Sequence, residues 1–258
     1  MNMNLAVELR AQCGASTHKG LVRDHNEDGW FAAEDRGLWV VADGMGGHER
    51  GEWASAVVIG ELSRLELVGD FAAGCTEIAD ALHRANAVIH TEGTARGSQM
   101  GTTAVALFVR ERRFAVLWVG DSRAYLLRGG QMVQLSRDHT QVQEMVDRGL
   151  LTVEEAEGHP MGHVLARAVG VMERIEVDVI QDEVDPGDTF LLCSDGLSGP
   201  VENATISRLL SGPSPESLVH ELVNEALDQG GPDNVTTVVV RFGESTLLVF
   251  GSNGMMNQ

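Results

Sequence analysis

The chain has 258 residues, 43% of them hydrophobic and 22% charged, so it is long enough for a large core and is not composed like a disordered chain. Its formal charge of -19 comes from 38 acidic residues against 19 Lys and Arg. Because such a chain repels a phosphate backbone, we expect no nucleic-acid partner.

The first predicted element is a β-hairpin. Apolar runs lie on both sides of the turn-rich segment 34–37, which predicts paired strands at residues 29–33 and 38–42. With a two-residue loop, continuing the pairing outward sets Asp28 opposite Asp43 and Glu27 opposite Gly44. Three acidic side chains would then gather at one end of the hairpin.

Strands and helices follow in blocks. Val, Leu, Thr and aromatic residues predict strands at 103–109, 113–119, 123–127, 131–135, 175–181, 189–193 and 235–242. Helical periodicity predicts helices at 50–66, 76–91 and 215–228. Because the elements do not alternate strictly, we expect an α+β fold with two packed, mainly antiparallel sheets flanked by helices. The polar, helix-prone segment 140–168 predicts a mobile flap, and 251–258 has the composition of a disordered terminus.

Acidic residues recur where the predicted strands begin or end. Asp43, Asp121 and Asp195 follow strands, and Asp233 precedes one. Opposite ends of antiparallel neighbours share an edge, so these carboxylates can form one cluster with the acidic end of the hairpin. Clustered carboxylates repel one another and typically hold hard cations, and oxygen ligands favour Mg²⁺ or Mn²⁺ over zinc. The alternatives are hairpin turns for single Asp-Gly pairs and a solvated acidic surface.

A series of motifs runs in order along the chain: RDHNED at 23–28, VADGMGGH at 41–48, MGTT at 100–103, VGDSR at 119–123, CSDGL at 193–197 and DNVT at 233–236. With them the chain resembles bacterial metal-dependent Ser/Thr protein phosphatases of the protein phosphatase 2C type over nearly its whole length. The resemblance implies a four-layer α-β-β-α sandwich with the flap inserted. It predicts a catalytic domain at 10–243 and a partly disordered C-terminal extension at 244–258.

The resemblance also implies an activity: hydrolysis of phosphoserine and phosphothreonine in proteins by a metal-activated water, reversing the action of a bacterial Ser/Thr kinase. We expect a cytoplasmic monomer that acts on phosphorylated proteins and has no membrane partner. Two alternatives stay open, a phosphatase-like regulatory or binding module and a small-molecule phosphoesterase.

Metal-binding roles follow from the same resemblance. Asp43 would bridge two Mn²⁺ or Mg²⁺ ions, the Gly44 carbonyl would complete one site, and Asp195 and Asp233 would hold the other. Asp121 would join Asp195 in holding a third, weaker ion.

Three further residues complete the predicted site. Glu27 and Asp28 would act mainly through waters on the ions. Arg23 would bind the substrate phosphate and form the catalytic set with Asp43, because its planar charged fork suits phosphate. The alternative for Arg23 is a surface arginine paired with Glu27.

The acid that protonates the leaving oxygen is not assigned. Met45 stands where many eukaryotic members carry a histidine proposed for this role, and the nearby His25 and His48 are left outside the catalytic set. His159 and His163 have i,i+4 spacing, but the intervening Pro and Gly argue against a helical metal pair, so we interpret both as flap residues.

Other chemistries find little support in the sequence. Ser194 lacks the Gly-x-Ser-x-Gly elbow, so we expect no serine nucleophile. Cys13, Cys75 and Cys193 are widely spaced, which predicts a reduced protein without disulfides or a zinc knuckle. The first twelve residues lack a signal-peptide pattern, and no apolar run approaches the ~18 residues of a membrane helix.

Overall fold

The computed structural model describes residues 3–46, 49–156 and 158–250, so His48 and the segment 251–258 lie outside it. Its strands are β1 (Met3–His18), β2 (Asp28–Ala33), β3 (Leu38–Met45), β4 (Gly101–Thr102), β5 (Ala104–Arg110), β6 (Arg113–Val119), β7 (Arg123–Arg128), β8 (Gln131–Gln134), β9 (Asp178–Glu183), β10 (Thr189–Cys193) and β11 (Val235–Phe250). Its helices are α1 (Glu49–Ser63), α2 (Phe71–Arg96), α3 (Gln141–Asp147), α4 (Val153–Ala156), α5 (Asp195–Ser198), α6 (Asn203–Leu210) and α7 (Pro215–Asp228). Within the described ranges, no helix is long and apolar enough to cross a membrane.

The strands form two antiparallel sheets. One has the order β1-β11-β10-β7-β8, and the other has the order β2-β3-β5-β6-β9 with β4 paired to β3. Helices α1 and α2 pack on the second sheet, and α6 and α7 pack on the first. A third apolar cluster lies between the sheets. The predicted four-layer α-β-β-α sandwich is therefore confirmed.

The sequence of strand β3 is apolar at every position from Leu38 to Ala42, and the packing of both its faces explains this pattern. Leu38, Val40 and Ala42 face helices α1 and α2, whereas Trp39 and Val41 face the opposite sheet. A strand that is covered on both faces needs apolar residues at every position. Strand β3 therefore lies at the centre of the layers, and its C-terminal end leads directly to Asp43.

The predicted hairpin register is confirmed. Asp28 pairs with Asp43 across β2 and β3, and the Gly44 N–H donates to the Glu27 carbonyl over 3.2 Å. The predictions also match β6, β10 and α7 in their bounds. In these segments the apolar pattern and the turn residues agree, so local sequence determines the element.

The strands at the two ends of the chain differ from the prediction. Strand β1 was not predicted, and the strand predicted at 235–242 continues to Phe250. The two strands pair over their whole length, from Met3 opposite Phe250 to His18 opposite Val235. Small and polar residues in β1, such as Gly14 and Ser16, weaken its strand propensity, so the pairing depends on a distant partner. Part of the predicted C-terminal extension therefore continues the sheet.

The segment 140–168 contains the short helices α3 and α4, in agreement with its predicted helical tendency. A bridge between Thr140 and Leu165 joins its two ends. The segment is therefore anchored at its base, while its mobility stays a prediction. Helix α6 was not predicted, because its Thr, Ile and Ser residues have weak helix propensity.

Candidate metal centre

One cavity of about 480 Å³ opens where the ends of the two sheets meet. We call it the acidic cavity; its lining comprises Val22, Arg23, Asp24, His25, Glu27, Asp43, Gly44, Met45, Gly46, Thr103, Asp121, His163, Leu165, Asp195, Asp233 and Asn234. Every predicted site residue except Asp28 is in this lining. The structure thus brings together side chains that come from both sheets and from distant parts of the chain.

Two buried threonines hold the backbone of Asp43 in place. The Asp43 N–H donates to Thr103 Oγ1 over 3.0 Å, and the Asp43 carbonyl accepts from the Thr103 N–H at 2.8 Å. The same carbonyl also accepts from Thr102 Oγ1 at 2.9 Å. The MGTT motif therefore fixes the position from which the Asp43 carboxylate enters the cavity.

The glycines of two Asp-Gly pairs are required by close packing. Gly44 lies in β3 and Gly196 in α5, and neither has a left-handed φ. An added Cβ would lie 2.1 Å from the Gly51 carbonyl oxygen at Gly44, and 1.9 Å from the Asn234 carbonyl oxygen at Gly196. The hairpin-turn alternative is therefore wrong for both pairs.

Asn234 connects the first loop of the site to the start of β11. Its side-chain Nδ2 donates to the carbonyls of Lys19 and His25 at 2.9 and 2.8 Å, and its Oδ1 accepts from the Glu27 N–H at 2.8 Å. This role of Asn234 was not predicted from the sequence. Its only signal was the Asn that follows Asp233 in the DNVT motif.

Asp28 is paired with Asp43 across β2 and β3 and is not among the residues that line the cavity. Its Oδ2 accepts from Ser194 Oγ at 2.8 Å, and its buried Oδ1 has no hydrogen-bond partner among the described residues. Burial raises the pKa of Asp28 to about 7, and the charges of Asp195 and Asp233 add to this rise. Ser194 is fully buried beneath this contact, which agrees with the expectation that it is not a nucleophile.

Asp43 and Asp121 show the same effect. Burial raises the pKa of Asp43 well above its usual value, and the charges of Asp28 and Asp195 follow as the next causes. Burial, then the charge of Asp195, raises the pKa of Asp121 to about 7. In both cases the surroundings disfavour a negative charge that is not balanced by a cation.

At the mouth of the cavity, basic side chains pair with two carboxylates. Arg23 Nη2 lies 2.6 Å from Asp233 Oδ2, with the Arg23 side chain 56% exposed. His163 Nδ1 lies 3.6 Å from Asp195 Oδ2, and this contact raises the pKa of His163 against the effect of its partial burial. His163 was interpreted only as a flap residue, and its place in the cavity was missed. Its i,i+4 partner His159 is not in the cavity lining.

The chemistry of the lining fits hard divalent cations. Carboxylate oxygens dominate it, and a cation would offset both the burial and the mutual repulsion that raise the pKa values of Asp43 and Asp121. In the part of the chain that the structure describes, no three His, Cys, Asp or Glu side chains are grouped so as to hold an ion as they stand. An ion bound by Asp233 and Asp195 would compete with Arg23 and His163 for these carboxylates.

The fold, the motifs and the cavity define one class of protein. A sequence model of the protein phosphatase 2C family matches residues 16–234, and the chain belongs to this family.

Individual relatives agree with this assignment. The chain is 40% identical over 242 residues to the serine/threonine protein phosphatase PstP of Mycobacterium tuberculosis; the match covers 90% of this chain and 45% of PstP, so the chain spans about half of that relative. It superposes on PppA, a key regulatory component of T6SS in Pseudomonas aeruginosa, with a TM-score of 0.85 and 39% identity, covering 93% of this chain and 100% of PppA. The catalytic domain of PstP in complex with two manganese ions gives a TM-score of 0.82 at 38% identity, with 92% of this chain and 100% of that chain covered.

Proposed function

We propose that this chain is a divalent-metal-dependent protein phosphatase that hydrolyses phosphoserine and phosphothreonine in proteins. The observation that carries the proposal is the acidic cavity, which gathers Asp43, Asp121, Asp195 and Asp233 at one end of a phosphatase 2C sandwich and has Arg23 at its mouth. The manganese-bound structure of the relative PstP supports the choice of metal.

The proposed cofactors are two Mn²⁺ or Mg²⁺ ions and a third, weaker one. Asp43 would bridge the first two, with the Gly44 carbonyl completing one site and Asp195 and Asp233 the other. Asp121 would support the third together with Asp195. When bound, such ions activate water as a nucleophile and balance the charge of the phosphate.

The side chains around the ions would position the substrate. Arg23 is exposed and already pairs with one carboxylate, so its guanidinium can exchange Asp233 for two phosphate oxygens. Glu27 and Asp28 would hold waters of the ions. The water oxygen bonds to phosphorus, the bond from phosphorus to the Ser or Thr oxygen breaks, and that oxygen takes a proton. The thioether of Met45 has no proton to give, so the donor is not assigned.

The proposed substrates are phosphorylated proteins, including a Ser/Thr kinase and the proteins that the kinase phosphorylates. The proposed working form is a monomer whose catalytic domain covers 10–243. Cys13, Cys75 and Cys193 are all free thiols, which supports a reducing compartment such as the cytoplasm.

A direct assay tests the proposal. The purified chain in Mn²⁺ should release phosphate from p-nitrophenyl phosphate and from a phosphothreonine peptide, EDTA should abolish the release, and added Mn²⁺ should restore it. Metal binding by calorimetry without turnover would instead indicate a regulatory or binding module. A higher kcat/KM for nucleotides or sugar phosphates than for phosphopeptides would indicate a small-molecule phosphoesterase.

A further inference from the structure

A second cavity, of about 330 Å³, adjoins the acidic cavity. The two share Met45, Gly46 and Leu165 in their linings, so they lie side by side. We call the second cavity the flap pocket, because one of its walls is the segment 164–168, where the chain returns from the predicted flap. Its volume lies at the lower end of the range of roughly 300–1,000 Å³ that ligand pockets occupy.

The wall of the flap pocket is held by backbone hydrogen bonds. The Val164 carbonyl accepts from the Gln141 N–H at 2.8 Å, and the Ala166 N–H donates to the His139 carbonyl at 2.8 Å. At the end of the segment, the Val169 N–H donates to the Thr102 carbonyl at 2.9 Å. The pocket is therefore preformed, which lowers the entropic cost of binding a ligand there.

The flap pocket differs from the acidic cavity in its chemistry. Its lining includes the apolar side chains of Met45, Met100, Val164 and Val171. Its one basic residue among those in the lining, Arg167, is held at 3.0 Å by Asp178, so its charge is already balanced. An apolar group gains most by leaving water in such a site, and flexible methionines adapt to side chains of different shapes.

A third cavity, of about 220 Å³, lies next to the flap pocket and shares Gln99, Met100 and Val171 with its lining. Three neighbouring cavities in a row suit an extended chain, which advances about 3.3–3.6 Å per residue, better than a compact metabolite. Because the row starts at the acidic cavity, it suits a peptide that carries the phosphate.

We propose that the flap pocket binds an apolar side chain next to the phosphorylated residue of the substrate, and so gives the enzyme a sequence preference. This inference rests on the proposed phosphatase function. The preferred substrate is then an extended protein segment with an apolar residue beside the phosphoserine or phosphothreonine.

Peptide pairs test the preference. Phosphothreonine peptides that differ only in carrying Leu, Ala or Asp before or after the phosphothreonine are compared by kcat/KM in Mn²⁺. On one side of the phosphothreonine, kcat/KM for the Leu peptide should exceed that for the Ala peptide by about tenfold or more, since even one methylene in an apolar pocket gives about 10–200-fold discrimination. Asp should be the poorest of the three, because it would place a charge in an apolar pocket near other carboxylates.

Two matched variants test whether the flap pocket is the source of this peptide preference. Val164→Asp changes a side chain that is 40% exposed and lines the flap pocket. Its control, Val153→Asp, changes a side chain of the predicted flap 140–168 that is 62% exposed and lines none of the three cavities. Val164→Asp should reduce the Leu-to-Ala ratio of kcat/KM to below about twofold. It should also raise kcat/KM for a further peptide with Lys at that position, because the new charge attracts a cation. Val153→Asp should keep the native ratio. Val164→Thr, which is nearly isosteric, repeats the test if the Asp variant does not fold.

The outcomes separate the two proposals. If the native chain does not hydrolyse p-nitrophenyl phosphate in Mn²⁺, the proposed function fails and this inference fails with it. If the chain hydrolyses it but shows a Leu-to-Ala ratio near one on both sides, only the flap pocket assignment is overturned. An equal loss of the ratio in Val164→Asp and Val153→Asp would also overturn the assignment.

Discussion

The carboxylates near the acidic cavity form two groups whose charges are balanced in different ways. We call the first the buried half; it consists of the half-buried Asp28 and Asp43 and the buried Asp121. We call the second the rim half; it consists of Asp195 and Asp233. The buried half has raised pKa values, and burial is the first cause of each. The rim half is paired with His163 and Arg23.

This difference indicates a division of roles. In the buried half, negative charge is disfavoured until a cation balances it, so these residues couple metal binding to the stability of the fold. In the rim half, each carboxylate has a basic partner that can exchange it for another anion. We therefore expect changes in the buried half to act on metal binding and stability, and changes in the basic partners of the rim half to act on the substrate.

The largest expected effect is that of Asp43→Asn in the buried half. It should reduce kcat for p-nitrophenyl phosphate in Mn²⁺ by about a thousandfold or more, because the water and the phosphate lose charge stabilisation worth several kcal/mol. In EDTA its Tm should equal or exceed that of the native chain, because a buried charge has been removed. Turnover assays and thermal unfolding measure the two effects.

The control for this variant is Asp35→Asn, which changes an exposed aspartate in the loop of the same hairpin. It should leave both turnover and Tm unchanged. If Asp43→Asn kept more than about a tenth of the native turnover, Asp43 could not be the bridging ligand.

A smaller effect is expected at the rim from Arg23→Lys. The variant keeps the positive charge but loses the planar fork, so KM for p-nitrophenyl phosphate should rise about tenfold. Its Tm should move by less than about 2 °C, because exposed ion pairs contribute little to stability. Arg10→Lys, at an exposed arginine in β1, is the control. An unchanged KM would mean that Arg23 pairs with Asp233 and does not bind the phosphate.

The local sequence pattern correctly predicted the hairpin that carries part of the site. The apolar runs and the turn between them determine the hairpin, and its register places Asp28 opposite Asp43 as the sequence indicated. This prediction needs only neighbouring residues and the two-residue repeat of a strand.

The supporting contacts could not be predicted in this way. Asn234 binds the Glu27 N–H across 207 positions of the chain, and Ser194 binds Asp28 across 166. Such contacts exist only after the two sheets have packed, so no local pattern carries them. The motif positions indicated which residues belong to the site, whereas the basic partners of the rim half depend on the fold.

The last expected effect concerns the stability of the metal-free protein at different pH values. Burial raises the pKa values of Asp28 and Asp121 from the usual 3.8 to about 7, so the folded chain holds their protons more tightly than the unfolded chain does. The resulting stabilisation is complete below about pH 4 and is lost as the pH rises through about 7. In EDTA, Tm should therefore fall by about 5 °C or more between pH 5 and pH 8.

Asp28→Asn provides the comparison for this measurement. His163, whose pKa is also raised, lowers Tm in the same direction when it loses its proton, but it is present in both proteins. Asp28→Asn keeps an acceptor for Ser194 and removes one buried acid, so its fall in Tm should be smaller than that of the native chain. With saturating Mn²⁺ the native fall should shrink, because the cation favours the charged carboxylates. An equal pH dependence in both proteins without metal would show that Asp28 is not a source of the instability of the buried half.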